Sequence, residues 1–69
     1  MTPESFRDFR KSLQLSQSQM ARAIGVGGDR TVRKWEEGER DIPGPVETIS
    51  AAADKFPAFA KWLALRAVK

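Results

Sequence analysis

LSQSQMARAIGVGGDRTVRKWEEG, residues 15–38, holds two short amphipathic segments separated by a glycine-rich turn. Its opening, Ser16-Gln17-Ser18-Gln19, reads as a capping box: the Ser16 hydroxyl accepts from the Gln19 amide, and the Gln19 side chain reaches back. Leu15, just before the cap, and Met20, at the fourth helical position, form a hydrophobic staple across it. The first helix then runs to about Ile24, with Met20, Ala21 and Ile24 inward, and Ala21 is small where another helix must come close. Gly25 ends it, since glycine takes the left-handed conformation at little steric cost. Val26 tucks the turn into the core, and Gly27-Gly28 allow a sharp change of direction. Asp29 lies near the positive end of a second helix, about 29–37, which Gly38 stops.

At about 100° per residue, Arg30, Arg33 and Lys34 share one arc of that second helix, and Val32 and Trp35 lie roughly opposite. Such a helix is held to a core by its apolar edge and offers a cationic edge to a polyanion. The charge distribution agrees. Residues 1–34 hold seven basic and three acidic side chains, residues 35–54 one and six, and residues 55–69 four and none. This segregation points to a nucleic-acid face better than the net charge of +3 does,. For any one segment alone, a solvated helix face accounts for the charges equally well.

Upstream, Thr2-Pro3-Glu4 reads as a helix start: a hydroxyl cap, proline at the first position and an acid near the positive dipole end. Phe6, Phe9 and Leu13 form the apolar stripe of a helix near 3–13, with Arg7, Asp8 and Lys11 pointing elsewhere. Arg10, beside Phe9, needs a partner if covered. Downstream, residues 39–45 form an irregular loop anchored by Ile42. Pro45 restarts a helix at its first position, with Val46, Ile49, Ala53 and Phe56 on its inner side. Pro57 either begins a separate helix or bends this one. The last segment, Ala58–Val68, is apolar around much of its circumference, more than one core face requires. Phe59, Trp62, Leu63, Leu65 and Arg66 are therefore expected to meet a second subunit. The competing expectation is that Trp62 and Leu65 fold back as ordinary core.

Sixty-nine residues make one small domain that buries only about 60% of its unfolded surface,. The absence of cysteine excludes a disulfide framework and cysteine-ligated metals,. The absence of histidine excludes imidazole catalysis and histidine metal sites,. Nothing in the pattern assembles a nucleophile with a base, so an enzyme is not expected, nor a cofactor or small-molecule ligand. With no long apolar run and no charged-then-apolar leader, a soluble cytoplasmic protein with no membrane partner is the expectation.

LSQSQMARAIGV…RTVRKWEEGERDIP resembles the helix-turn-helix of the Cro/C1 repressor-like family (the xenobiotic-response-element type). The shared features are Leu15-Ser16-Gln17, Met20-Ala21, Gly25-Val26, Thr31-Val32 and Trp35-Glu36-Glu37-Gly38 in order, within a resemblance covering roughly residues 6–56. It implies an all-α, compact bundle of four to five short helices, a lambda repressor-like DNA-binding domain over residues 1–69. The helix-turn-helix would lie at about 16–37 and a C-terminal dimerisation helix at about 57–68. It also implies a homodimer on a pseudo-palindromic double-stranded DNA operator.

By position, the resemblance makes Gln17 a phosphate contact that orients a neighbouring recognition side chain. It places Asp29, Arg30, Arg33 and Lys34 toward the groove. Arg30 is the preferred base reader, because a guanidinium donates two hydrogen bonds to guanine O6 and N7. Lys34 reads a base or touches phosphate, and Arg33 touches phosphate. Asp29 accepts from cytosine, or caps the helix and points Arg30. Thr31 makes a phosphate contact or a local backbone bond. Arg40 forms a second backbone clamp or balances Glu39 and Asp41. Arg10 and Glu36 match a family pair bridging helix 1 to the end of helix 3, taken as structural. One departure stands out: Gly27-Gly28 supply one residue more than the family usually has between Val26 and Thr31. The insertion either lengthens only the turn or shifts the helix start. The resulting expectation is a DNA-binding regulator, in type a phage or mobile-element repressor. The alternative is an interaction module, an antitoxin or adaptor gripping a partner through its apolar tail.

Overall fold

A computed structural model describes residues 1–68 of the chain. They form five short helices and no strand: α1 (Pro3–Ser12), α2 (Gln17–Ile24), α3 (Asp29–Glu36), α4 (Gly44–Lys55) and α5 (Pro57–Ala67). The chain is thus an all-helical bundle. None of the described helices is long and apolar enough to cross a membrane.

Local chemistry sets most helix starts. Thr2 caps α1 through a capping box closed by Ser5, with 3.0 Å bonds in both directions. Ser16 caps α2 the same way, with Gln19 as the reciprocal partner. Leu15 and Met20, on either side of that cap, are both buried, as a hydrophobic staple requires,. Helix α4 begins one residue earlier than its proline marks: Pro43 is the N-cap, and Pro45 sits in the first turn, where a missing N–H costs nothing,. Pro57 opens a separate helix, and the extended Phe56 (φ −122°, ψ 95°) is the break between α4 and α5.

Helices α1 and α3 end in the same hydrogen-bonded motif with different residues at its left-handed position. After α3, Gly38 takes φ +76°, its amide bonds the Trp35 carbonyl and the Glu39 amide bonds the Lys34 carbonyl,. After α1, Gln14 takes φ +59°, its amide bonds the Lys11 carbonyl and the Leu15 amide bonds the Arg10 carbonyl. Glutamine carries a Cβ penalty at this φ that glycine does not.

Phe6, Met20 and Val32 are fully enclosed at the centre. Phe6 meets the Trp35 ring edge-on at 5.4 Å and Phe9 at 6.3 Å, tying α1 to α3,. Helix α2 packs on both α3 and α5 through small residues: Ala21, Ala23 and Ala67 are buried where the helices approach. Two arginines lock the α2–α5 contact. Arg22 donates to the Ala67 carbonyl at 3.1 Å, and Arg66 donates to the Ala23 carbonyl at 2.9 Å, so each caps the other helix's last turn,.

Ile24 packs against the core while half-buried, and Ala23, which the periodicity did not single out, is buried as well. Two expectations about the core need correction. Phe56 is exposed, because the chain breaks there and its side chain leaves the inner face of α4. Leu63, expected at a subunit interface, is core at 3% exposure, while Trp62 and Leu65 stay out at 52% and 55%. The cause is angular: Leu63 and Ala67 lie one turn apart on the stripe of α5 facing α2, and Trp62 and Leu65 fall outside it.

Relieving the strained turn should show in stability. Gln14→Gly is expected to raise the unfolding free energy by roughly 0.5–1 kcal/mol, the left-handed penalty less the glycine's extra chain entropy. Urea denaturation measures it; a loss of stability would mean that the Gln14 side chain contributes more than the strain costs.

Candidate functional site

The outer edge of α3 is positioned from within. Val32, Trp35 and Glu36 are buried on one arc of the helix, so Arg30, Arg33 and Lys34, on the opposite arc, face outward,. Arg30, Arg33 and Lys34 come together there and line one open depression of about 280 Å³, with Arg30 and Arg33 exposed and Lys34 half-buried. The other two lining residues are acidic, Glu37 and Glu39.

Those two carboxylates are a feature that sequence reasoning missed, although two acids directly after a cationic helix were the signal. The end motif of α3 folds both back beside the cations. The hydrogen bond that a protonated Glu37 donates to the Glu39 carboxylate, some desolvation and the Glu39 charge raise the Glu37 pKa, against the pull of Arg33 and Arg7,. Glu37 in this depression therefore takes up a proton more readily than an isolated glutamate.

Helix α3 begins at Asp29, and its N-cap is Gly28 in extended backbone, so Asp29 is the first helical residue and not the cap. Its carboxylate stands in the first turn, at the positive end of the helix dipole,. Gly27 and Gly28 lie in the turn before the helix, neither has a left-handed φ, and a Cβ at either would meet nothing. That sharp turn thus does not depend on glycine at these two positions. Thr31 is half-buried, and its amide bonds the Gly28 carbonyl at 3.2 Å. Arg40 is exposed in the loop after α3 and lies outside the depression.

Behind the cationic edge sits Glu36, the one charged residue buried among those described. Arg10 bonds it with both forks, Nε to Oε2 at 2.7 Å and Nη2 to Oε1 at 3.0 Å, and sends Nη1 to the Leu15 carbonyl at 2.9 Å. Arg7, which the α1 periodicity had pointing elsewhere, adds Nε to Oε1 at 3.4 Å and Nη2 to the Glu36 carbonyl at 3.2 Å. Its place three residues before Arg10 was the sequence signal, since such neighbours share a helix face. Gln17 donates its side-chain amide to Oε1 at 3.4 Å. The first residue of α2, two arginines of α1 and the last residue of α3 thus meet at one carboxylate.

Burial by itself pushes the Glu36 pKa up. The Arg10 hydrogen bonds and charge, with bonds from Gln17 and Arg7, outweigh it and hold the carboxyl below the ordinary glutamate range. Trp35, beside Glu36 in sequence, keeps its indole N–H buried with no acceptor among the described residues.

On α5, Phe59 and Trp62 stack at 5.8 Å, and the Arg66 guanidinium lies over the Trp62 ring at 5.3 Å. Arg66 is exposed but committed to Ala23 and Trp62. Phe59 is half-buried, so the outward apolar residues of this end are Trp62, Leu65 and Val68, with Phe56 at the break. No group of metal-ligating side chains occurs among the described residues. Comparison with known proteins finds no matching family model, no similar curated protein and no similar solved structure.

A depressed pKa makes Glu36 a source of stability that is present above its unfolded pKa and lost as pH falls through the folded value. Urea midpoints should therefore fall as pH drops below the ordinary glutamate range. Glu36→Ala should cost about 3–5 kcal/mol at neutral pH, because it leaves Arg10, with a side chain only 14% exposed, without its counter-charge,. A variant as stable as the wild type would show that the clasp contributes nothing net.

Proposed function

We propose that this chain is a sequence-specific regulator of transcription that binds double-stranded DNA, resembling the Cro/C1-type helix-turn-helix repressors. In this reading α2 and α3 form the helix-turn-helix and α3 enters the major groove. The observation that carries it is the gathering of Arg30, Arg33 and Lys34 at one open depression, on the side of α3 away from Val32 and Trp35. Arg30 reads guanine through two hydrogen bonds. Arg33 and Lys34 meet phosphate or the next base, and Arg40 and Thr31 add backbone contacts. Gln17, held by Glu36 at the start of α2, is the phosphate contact at the edge of the site. Asp29 is left to orient Arg30 or to accept from cytosine.

Two copies would occupy a pseudo-palindromic operator, and the exposed Trp62, Leu65 and Val68 are the surface that a second copy covers,. Occupancy of the operator would itself block transcription, in the cytoplasm of a cell whose nucleoid carries the site. The same apolar end of α5 supports the second reading, an adaptor or antitoxin that grips a different protein. DNA recognition through α3 separates the two.

Selection of bound duplexes from a random pool tests the proposal: a consensus with two related half-sites supports it, and an unenriched pool refutes it. On the selected site, Arg30→Ala should lose about 1–3 kcal/mol and relax preference at one base pair, read by band-shift titration. Equal losses on matched and scrambled DNA would overturn the Arg30 assignment. Glu37→Gln should act in the opposite direction and tighten binding severalfold by removing a carboxylate from beside the cations. Lowering the pH through the raised Glu37 range should tighten the wild type likewise.

A further inference from the structure

The seam between α1 and α4 does not close. While α1 packs on α3 and α4 on α5, an open groove of about 690 Å³ runs between α1 and α4 to the start of α5. Phe9, Leu13 and Ala60 are among its apolar lining, and Asp8, Glu47 and Asp54 among its polar lining. Among the described residues no lysine or arginine lines it. One positive group is near: the Met1 ammonium bonds Glu47 at 2.9 Å, which leaves Asp8 and Asp54 as the net charge of the groove. It shares no residue with the depression on α3.

The outer side of α5 is its chemical complement. Trp62 and Leu65 stand exposed there, Lys61 next to Trp62 in the chain is exposed as well, and Arg66 covers one face of the Trp62 ring. No acidic residue occurs from Lys55 to the end of the chain. Two such helices laid face to face would set like charges against each other, which opposes pairing. An apolar strip with cationic flanks meets its counterpart in an apolar groove with acidic flanks. A volume of about 690 Å³ is well within the roughly 300–1,000 Å³ of sites that enclose a ligand, enough for large side chains such as Trp62 and Leu65,.

We infer that the chain associates with a second copy of itself through dissimilar surfaces, the Lys61–Trp62–Leu65 edge of α5 in one copy seated in the α1/α4 groove of the other. This rests on the second copy invoked in the proposed function, and on no property of DNA. It names the surface against which the α5 strip is covered. Contacts of this kind close into a ring or a reciprocal dimer if the rotation allows and otherwise extend head to tail.

Sedimentation velocity of the full chain, without DNA, tests it with two double variants at exposed positions. Asp8→Lys with Asp54→Lys reverses the groove, and Lys61→Glu with Leu65→Glu spoils the strip. Circular dichroism and thermal melting establish that each variant is folded, and Asp54→Asn with Asp8→Asn supplies a milder groove change should the reversal unfold. The wild type is expected to associate at micromolar concentration, less so at high salt, and each variant to associate at least about tenfold more weakly. Mixed in equal amounts, the two should form a 1:1 dimer, because one retains an intact strip and the other an intact groove. If the groove variant self-associates like the wild type, α5 pairs with α5 and the inference is overturned. A monomeric wild type, or no heterodimer on mixing, overturns it too. A failure to select any DNA site would defeat the proposed function and leave these outcomes unchanged.

Discussion

The buried carboxylate of Glu36 is the constraint on which the arrangement of this small domain depends. Its side chain is only 2% exposed, and an ion so placed is expensive unless paired and hydrogen-bonded,. Its partners come from α1 and from the start of α2, and the carboxylate itself from the end of α3. Three helices must therefore converge at one point before the desolvation cost is offset. Arg10 extends the requirement to the chain between α1 and α2 by bonding the Leu15 carbonyl. An apolar core alone would tolerate helices sliding past one another; a forked arginine–carboxylate pair has one register.

That register decides what α3 presents. With Glu36 turned inward and Val32 and Trp35 locked against α1 and α2, the remaining arc of an eight-residue helix can only face outward, and it holds Arg30, Arg33 and Lys34. The same helix end folds Glu37 and Glu39 beside them, so the edge is a mixed one of three cations with two carboxylates at their margin. The carboxylates lower the positive potential that the cations alone would create there.

Much of the architecture was legible locally. Thr2 announced a hydroxyl cap and Ser16 a capping box, Gly25 and Gly38 the helix ends, and the Phe6–Phe9 spacing the inward stripe of α1. The cations of α3 followed from angular periodicity, and the pairing of Arg10 with Glu36 was drawn from a family resemblance and not from spacing. Less visible were Gln14, which adopts a glycine conformation without being glycine, and Phe56, whose apolar character gave no hint of a chain break. Arg7 was overlooked because it lies off the apolar stripe of α1, although its spacing from Arg10 puts both on one face of the helix,.

Sequence by itself determined the helices, since caps, stop residues and apolar spacing act within a turn or two of chain. Tertiary structure decided which charged groups are shared between helices, that Leu63 is enclosed while Trp62 and Leu65 are not, and that α1 and α4 leave a groove. These depend on how far apart helix axes come to rest. That distance is set by the bulk of side chains from separate elements packed together, such as the buried Ala21 and Ala23 of α2 and Ala67 of α5, and no single segment contains it,.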